Sequence, residues 1–295
     1  MEDTYCEAFD GVGVQLAITA ADEDLVKYAT QAFVALPSSV FGDAEGGIVK
    51  WLKPGQSPDG RPGSVVQLWV LGTGKKALAK LYEQLGRRMR QGVLVVPTTA
   101  AFDAFPGEPD GEFDLMDNVG HCGDGFEDEV EHAGRRVVRV PIMMGHDFFV
   151  ERHVGHGKGV MGGFFWFFCD SVENGLAVGR RAVEASREVD DVAHVFEVCA
   201  AGSKVETNYP EIGPTTNHRL CPTLREKIPD SLVPEGVRSI PELVLNAFKL
   251  EDLKTAMRHV YEAVRALPGL VRVSTGNFGG KLGRHKIPLR ETLGL

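Results

Sequence analysis

The stretch that organises this sequence is Ser239-Ile240-Pro241-Glu242-Leu243-Val244-Leu245-Asn246. It places one carboxylic acid inside an apolar run that precedes an amphipathic helix pattern. If the run is a strand, alternation puts Glu242 on one face with Val244 and Asn246, and burial there favours the protonated acid. A neutral acid of this kind can donate a hydrogen bond to a developing oxyanion. The alternative is a helix start, because Ser239-x-x-Glu242 also fits a capping box.

Length and composition predict a globular protein with two compact units. The chain has 295 residues, 43% of them apolar, and a formal charge of −9. That charge gives no support for binding nucleic acid or an anionic membrane surface. The N-terminus lacks the basic and apolar regions of a signal peptide, and the longest apolar run, Phe164–Cys169, is too short to cross a bilayer. We therefore expect a cytoplasmic protein without membrane association.

The cysteines and histidines do not form a recognisable metal or disulfide pattern. The five cysteines are scattered and contain no C-x-x-C pair, so reduced thiols are expected. His146, His153 and His156 lie near one another but outside any H-E-x-x-H motif. The acidic, glycine-rich stretch 103–131 has no EF-hand spacing and is interpreted as a solvated excursion. No metal site is predicted.

Hydrophobic periodicity predicts a strand, a helix and then a βαβ unit in the first half of the chain. Val14–Thr19 alternates as a strand, and Asp22 is the expected cap of the helix that follows. Further strands are predicted over Val65–Leu71 and Val93–Val96, with a second helix between them. The residues expected to face inward are Leu25, Ala29, Ala32, Phe33 and Leu36 in the first helix, and Leu78, Leu81, Leu85 and Met89 in the second.

The same order returns in the second half, after a glycine-rich junction over Pro141–Gly163. Phe164–Phe168 is a predicted strand, and Asp170-x-x-Glu173 is the expected cap of the next helix. The Glu242 strand follows, then a helix, a strand over Leu270–Val273 and a final strand around Ile287. The residues expected to face inward are Val172, Leu176, Gly179 and Val183 in the first of these helices, and Leu253, Met257, Val260 and Val264 in the second.

This repeated order is the split βαβ arrangement of a ferredoxin-like domain. It predicts an α+β protein of two ferredoxin-like lobes with antiparallel sheets, each covered on one face by helices. The expected domains are residues 1–145 for the N-terminal lobe and 146–295 for the C-terminal lobe.

Two short loops supply candidate ligand-binding residues. Gly276–Lys281 follows a predicted strand but lacks the spacing of a phosphate-binding loop, so it offers flexible backbone with Asn277 and Lys281 as polar groups. Gly202-Ser203-Lys204 is a second loop whose lysine could meet an anionic group or remain solvated. Because no G-x-S-x-G elbow or activated cysteine is present, the sequence favours direct transfer over a covalent intermediate.

Taken together, the motifs resemble those of the formylmethanofuran:tetrahydromethanopterin formyltransferase family over essentially the whole chain. The segments that carry the resemblance are Glu2–Phe9, Pro58–Gly63, Pro97–Ala100, Val140–Met143, Gly202–Lys204, Cys221–Pro222 and Gly276–Gly283. The resemblance implies a cytoplasmic homo-oligomer, a dimer or tetramer, of subunits with two ferredoxin-like lobes. It implies no prosthetic group, since methanofuran and tetrahydromethanopterin act as coenzyme substrates.

The resemblance also implies an activity and a set of site residues. The family transfers a formyl group reversibly between methanofuran and a pterin ring nitrogen, in methanogenesis or formaldehyde oxidation. Glu242 aligns with the family's key acid, which as the protonated form stabilises the oxyanion. The substrate-binding candidates are Ser203, Lys204, Asn277, Phe278, Lys281 and Arg61. Phe278 stands where the family carries a tyrosine.

A second hypothesis is a non-catalytic protein, because ferredoxin-like lobes also serve as ligand-binding modules. In that case the chain would be a ligand-binding or scaffold subunit of a formyltransferase/hydrolase complex, with other subunits as partners. An assay of turnover with both substrates distinguishes the two hypotheses.

Overall fold

The computed structural model describes residues 4–38, 41–204 and 206–295. Glu2 and Asp3, which belong to the first segment of the family resemblance, lie outside the described residues. The chain forms two compact units, which we call the C-terminal unit (Met1–Asp10 with Val160–Leu295) and the N-terminal unit (Gly11–Gly159). The domain boundary between residues 145 and 146 remains a prediction. Among the described residues, no helix is long and apolar enough to cross a bilayer.

The N-terminal unit contains one ferredoxin-like motif followed by additional strands. The motif consists of β1 (Tyr5–Thr19), α1 (Glu23–Val34), β2 (Glu45–Leu52), β3 (Gly63–Leu71), α2 (Lys75–Arg88) and β4 (Ala100–Asp103). Only the part of β1 from Gly11 onward belongs to this unit, and its first residues belong to the C-terminal unit. Its strands are ordered β2-β3-β1-β4 and pair antiparallel. The additional strands are β5 (Gly111–Asp114), β6 (Asp128–His132), β7 (Arg135–Ile142) and β8 (His146–Glu151). Strand β8 pairs parallel with β4, and β6 and β7 continue antiparallel beyond it.

The C-terminal unit contains the second ferredoxin-like motif. Its elements are β9 (His153–Cys169), which belongs to this unit from Val160 onward, α3 (Val172–Ser186), β10 (Val192–Cys199), β11 (Ser203–Lys204), β12 (Thr215–Thr216), β13 (Glu242–Ala247), α4 (Leu250–Val264), β14 (Leu270–Ser274), β15 (His285–Pro288) and α5 (Leu289–Leu293). The antiparallel order β14-β9-β13-β10 mirrors that of the N-terminal unit. The predicted fold class, two ferredoxin-like lobes with antiparallel sheets, is confirmed.

In the C-terminal unit the two faces of the sheet are covered differently. Leu243 and Leu245 of β13 face the helices and join a buried core with Leu253, Met257 and Val260 of α4. The four residues predicted to face inward on α4 are all fully buried. A smaller apolar cluster, formed by Phe168, Leu220, Val233 and Val237 with Trp166 and Ile240 against it, covers the other face. Glu242 pairs with Trp166 and therefore lies on the face that carries this smaller cluster.

The structure confirms several local predictions. Asp22 caps α1, and its side chain accepts from the Leu25 backbone N–H at 2.9 Å. Glu242 is the first residue of a strand, whereas α4 begins at Leu250, so the capping-box alternative is wrong. The final strand around Ile287 is β15, which pairs with the start of β1.

The strand predicted over Val93–Val96 is wrong. The helical backbone continues beyond α2 into a π-helical turn over Met89–Val93, and the Leu94 N–H bonds the Met89 carbonyl at 2.9 Å. Val95 is 58% exposed, and the strand of this motif is β4, which begins at Ala100. The apolar run resembles a strand in composition but ends the helix instead.

Parts of the predicted helix faces are also wrong. Ser171, not Asp170, caps α3 by accepting from the Asn174 N–H at 3.1 Å. Val172 and Leu176 are exposed, whereas the small residues of α3 are buried and let the helix approach the sheet closely. In the N-terminal unit, Leu36 lies beyond α1 and is exposed, and Ala32 is also exposed.

Candidate active site around Glu242

Glu242 lies in a row of paired residues that crosses all four strands of the C-terminal sheet. Ser274 of β14 pairs with Trp166 of β9, and Trp166 pairs in turn with Glu242 of β13. On its other side Glu242 pairs with Cys199 of β10, after a bulge in that strand. Directly paired residues of antiparallel strands point to the same face. We call Ser274, Trp166, Glu242 and Cys199 the four-strand row.

The Glu242 carboxyl group is held by two hydrogen-bond partners from the four-strand row. The indole Nε1 of Trp166 donates to Glu242 Oε2 at 2.8 Å, and the Cys199 thiol also bonds this carboxyl group. Burial raises the pKa of Glu242, and the two hydrogen bonds oppose that shift without cancelling it. Desolvation disfavours the carboxylate, so the shift favours the protonated form of the acid.

Cys199 is a neutral partner of Glu242 and not an activated nucleophile. Burial raises the pKa of the Cys199 thiol, and the neighbouring Glu242 raises it further. A cysteine nucleophile needs a lowered pKa, because the thiolate is the reactive form. The environment of Cys199 is therefore the opposite of a catalytic cysteine site, in keeping with the absence of a covalent catalyst in the sequence.

Ser203 and Lys204 follow directly on the end of β10. The backbone N–H groups of Ala201 and Gly202 hydrogen-bond the Cys199 thiol, which connects this loop to the four-strand row. Ser203 is exposed, while Lys204 is half-buried and its ammonium group donates to the Glu206 carbonyl. The structure therefore places both predicted residues in the loop adjacent to Cys199, with Lys204 held by the loop itself.

The loop over 275–283, which we call the glycine-rich loop, follows on the end of β14. It begins against the four-strand row, because a Cβ added to Gly276 would lie 2.3 Å from the Trp166 ring. Asn277 and Lys281 are exposed, and Phe278 is half-buried with its ring centroid 6.0 Å from that of Phe9. Strands β10 and β14 end at the same end of the sheet at which β13 begins with Glu242. The loop after β10 and the glycine-rich loop after β14 therefore lie on either side of Glu242.

The glycine-rich loop is held by a carboxylate that sequence reasoning missed. Glu7 of β1 has no exposed surface, and its two oxygens accept from backbone N–H groups of the loop. The donors are Phe278 at 2.8 Å, Gly280 at 2.8 Å, Leu282 at 2.6 Å and Gly283 at 2.5 Å. Burial acts to raise the pKa of Glu7, but the four hydrogen bonds outweigh it and the pKa is lowered. The loop conformation depends on an ionised Glu7.

Arg61 lies in the N-terminal unit, where its guanidinium group organises the turn around it. It donates to Asp59 Oδ2 at 2.8 Å, to the Thr98 carbonyl at 2.5 Å and to the Thr19 hydroxyl at 2.9 Å. These partners fix the turn between β2 and β3. The contacts give Arg61 a structural role within this unit, and its substrate role remains a prediction.

The described part of the chain contains no group of three His, Cys, Asp or Glu residues arranged to hold a metal ion. His146 accepts from the Thr98 backbone N–H at 2.8 Å, which gives that ring a structural partner. The groups gathered here are the Glu242 carboxyl group, whose pKa is raised, together with a thiol, an indole and loop backbone. Such a set suits hydrogen bonding to a carbonyl oxygen.

The fold and the site together define an α+β protein of two ferredoxin-like lobes. A hydrogen-bonded acid with a raised pKa lies at the start of a central strand of one sheet. The family model described as formylmethanofuran-tetrahydromethanopterin formyltransferase matches residues 1–142, and the model described as its proximal lobe, FTR, matches residues 146–292. The chain belongs to the formylmethanofuran-tetrahydromethanopterin formyltransferase family. The resemblance seen in the sequence is thereby confirmed.

Similar proteins cover nearly the full length of the chain. A formylmethanofuran–tetrahydromethanopterin formyltransferase-like protein of Methanopyrus kandleri is 52% identical, over 99% of this chain and 97% of its own. The formylmethanofuran–tetrahydromethanopterin formyltransferase of Methanosarcina acetivorans is 37% identical, again over 99% and 97%. Sequence identity is thus higher to the relative named as a formyltransferase-like protein than to the relative named as a formyltransferase.

Two solved structures show the same fold. The formyltransferase from Methanosarcina barkeri superposes with a TM-score of 0.88 at 36% identity, covering 99% of this chain and 97% of that one. The formyltransferase/hydrolase complex from Methylorubrum extorquens, solved with methylofuran, gives 0.85 at 31% identity and covers 99% and 96%.

Proposed function

We propose that this protein transfers a formyl group reversibly between methanofuran and the pterin ring nitrogen of tetrahydromethanopterin. The observation that carries the proposal is the raised pKa of Glu242 at the start of a central strand flanked by two loops, in a chain of this family. The substrates are inferred from the name of the family, and the geometry around Glu242 supports the chemistry of formyl transfer. Both coenzymes act as substrates, so no prosthetic group is required.

The mechanism is direct attack in a ternary complex. The pterin nitrogen attacks the formyl carbon of formylmethanofuran, and the carbonyl oxygen gains the negative charge of a tetrahedral intermediate. The protonated Glu242 donates a hydrogen bond to that oxygen, which stabilises the transition state more than the neutral substrate. Collapse of the intermediate breaks the bond to the methanofuran nitrogen. That nitrogen takes up a proton as the pterin nitrogen loses one.

The two loops beside Glu242 are the proposed substrate contacts. Ser203 and Lys204 follow β10, and Asn277, Phe278 and Lys281 lie in the glycine-rich loop after β14. Arg61 is proposed as a further contact through the turn that it organises. Phe278 presents a half-buried ring, so it is suited to an apolar part of a substrate.

We further propose a cytoplasmic homo-oligomer, a dimer or tetramer, that works in methanogenesis or formaldehyde oxidation. The family resemblance supports this assignment. In the formaldehyde-oxidation case, other subunits of a formyltransferase/hydrolase complex would be partners. Size measurement of the purified protein, alone and after co-purification, tests the assembly.

The activity is tested by mixing the purified protein with formylmethanofuran and tetrahydromethanopterin and following the absorbance of the formyl pterin. Glu242→Ala is expected to lower kcat by about 10²- to 10³-fold, the cost of removing an oxyanion donor. Glu242→Gln retains an N–H donor and should keep a measurable fraction of the rate. The exposed Glu235 supplies the matched control, Glu235→Ala, with unchanged kcat. Equal losses in the two Glu242 variants would contradict the hydrogen-bond role.

The second candidate is a non-catalytic ligand-binding or scaffold subunit. This candidate is supported by the sequence identity, which is higher to a formyltransferase-like protein than to a protein named as a formyltransferase. The retained and hydrogen-bonded Glu242 favours the enzyme. Binding of both substrates without turnover in the same assay would establish the non-catalytic role.

A further inference from the structure

The indole of Trp166 constrains Glu242 in a way that burial alone does not. An indole N–H can only donate, and it donates here to Oε2 at 2.8 Å. In a protonated carboxyl group the carbonyl oxygen is the better acceptor, so the indole selects Oε2 for that role. The acid proton then resides on Oε1, the oxygen that the indole does not occupy.

The position of the indole is itself fixed by packing. A Cβ added to Gly276 would lie 2.3 Å from Cη2 of Trp166, so only a glycine allows the ring to occupy this place. The ring also packs against the apolar cluster of Phe168, Leu220, Val233 and Val237. The start of the glycine-rich loop and the orientation of the Glu242 carboxyl group are therefore coupled through one side chain.

We propose that Trp166 is a positioning residue for formyl transfer, which directs the proton of Glu242 to Oε1 by occupying Oε2. This inference rests on the proposed function and adds a residue that acts through Glu242. The same hydrogen bond favours the ionised acid, because it stabilises negative charge on Oε2. Trp166 thus orients the acid while limiting how far its pKa rises.

The test is Trp166→Phe, which keeps an aromatic ring and removes the N–H. We expect kcat to fall about tenfold, the size of one hydrogen bond, with KM for both substrates nearly unchanged. The alkaline limb of the pH–kcat profile should move to higher pH, because the bond that favours the carboxylate is lost. The matched control is Trp69→Phe, which removes a buried indole N–H bonded to Gln67 at 2.8 Å in the N-terminal unit.

A role in packing alone makes different predictions. It would lower kcat equally at every pH, leave the alkaline limb in place and affect stability instead. A double variant sharpens the distinction: in the Glu242→Ala background, Trp166→Phe should have no further effect on the residual rate, since the partner is gone. An additive loss in the double variant, or an unmoved alkaline limb, overturns the proposal.

Two further measurements support the test: a second variant that moves the indole, and a spectroscopic signal that does not depend on activity. Gly276→Ala displaces the indole without deleting it and should give the same shift of the alkaline limb. The carbonyl stretching band of protonated Glu242, identified by its loss in Glu242→Gln, should move in Trp166→Phe and stay in place in Trp69→Phe. If the band does not move in Trp166→Phe, the inference is contradicted even where the wild-type protein turns over. If the band moves but the wild-type protein is inactive, only the proposed function is contradicted.

Discussion

Glu7 and Glu242 belong to the same compact unit, but their pKa values are shifted in opposite directions. Glu7 is fully buried and accepts from four backbone N–H groups, which lower its pKa. Glu242 is half-buried and bonds to one indole and one thiol, and its pKa is raised. Desolvation acts to raise the pKa of both carboxyl groups, yet only the one with four backbone donors has its pKa lowered. Hydrogen-bond donors, and not burial alone, decide the direction of the shift here.

This comparison separates two roles within the site. Glu7, whose pKa is lowered, holds the glycine-rich loop in shape, and Glu242, whose pKa is raised, is the proton-bearing acid of the proposed mechanism. A Cβ added to Gly283 would lie 2.6 Å from Cγ of Glu7, so the loop closes around the carboxylate at van der Waals contact. Glu7 has a structural role and Glu242 has the chemical role in the proposed mechanism, although each lies in a strand next to apolar neighbours.

The largest expected effect comes from removing the charge of Glu7. Glu7→Gln replaces one acceptor oxygen by an NH₂ group, so two of the four loop N–H groups lose their acceptor. Each buried donor left unpaired costs about 1–3 kcal/mol, and we expect the free energy of unfolding to fall by about 3 kcal/mol. Urea unfolding followed by tryptophan fluorescence measures the change.

The control for this substitution is Glu235→Gln, which alters an exposed glutamate of the same unit and should change the unfolding free energy by less than about 0.5 kcal/mol. If Glu7→Gln were no more destabilising than this control, the loop would not depend on the Glu7 carboxylate.

The two acids should also give opposite dependences of stability on pH. The pKa of Glu242 is raised, so above the ordinary glutamate value near about 4.3 the native state keeps a proton that the unfolded state loses. As the pH rises, the free energy of unfolding of the wild type relative to that of Glu242→Gln therefore falls by about 1.4 kcal/mol per pH unit, until the pH reaches the pKa of Glu242 in the folded protein.

For Glu7 the sign is reversed. Its pKa is lowered, so its contribution is fully present above about pH 4.3 and is lost as the pH falls through the folded pKa. The destabilisation by Glu7→Gln should therefore shrink in acid. Unfolding of both variants between about pH 3 and 8 checks this, and parallel pH slopes for the two would remove the distinction between them.

The sequence predicted the strand at Glu242 because a single acid interrupts a run with strand periodicity. It also predicted the cap at Asp22, where side-chain chemistry and helix start coincide locally. It missed Glu7 because the loop donors lie more than 270 positions away along the chain. The sequence did contain a signal for this contact. Glu7 is an isolated acid between Cys6 and Ala8 ahead of an alternating strand, and a distant glycine-rich loop offers backbone N–H groups that need an acceptor.

The errors have local physical causes. Val93–Val96 has the composition of a strand, yet the preceding helix extends through Met89–Val93 and places Val95 in solvent. In α3 the helix packs through small residues, and a Cβ added to Gly179 would lie 2.7 Å from Val198. Large apolar residues such as Leu176 therefore mark the outer face. Periodicity identifies the helix but does not determine which face packs.

The proposed mechanism requires Glu242 to be a neutral acid at the pH where the protein works. It is tested by infrared spectroscopy of the wild type against Glu242→Gln across a pH titration. The account predicts a carboxylic acid carbonyl band that is present at pH 7 in the wild type and absent in the variant. A difference band that vanishes as the pH rises past the ordinary value near about 4.3 would contradict it.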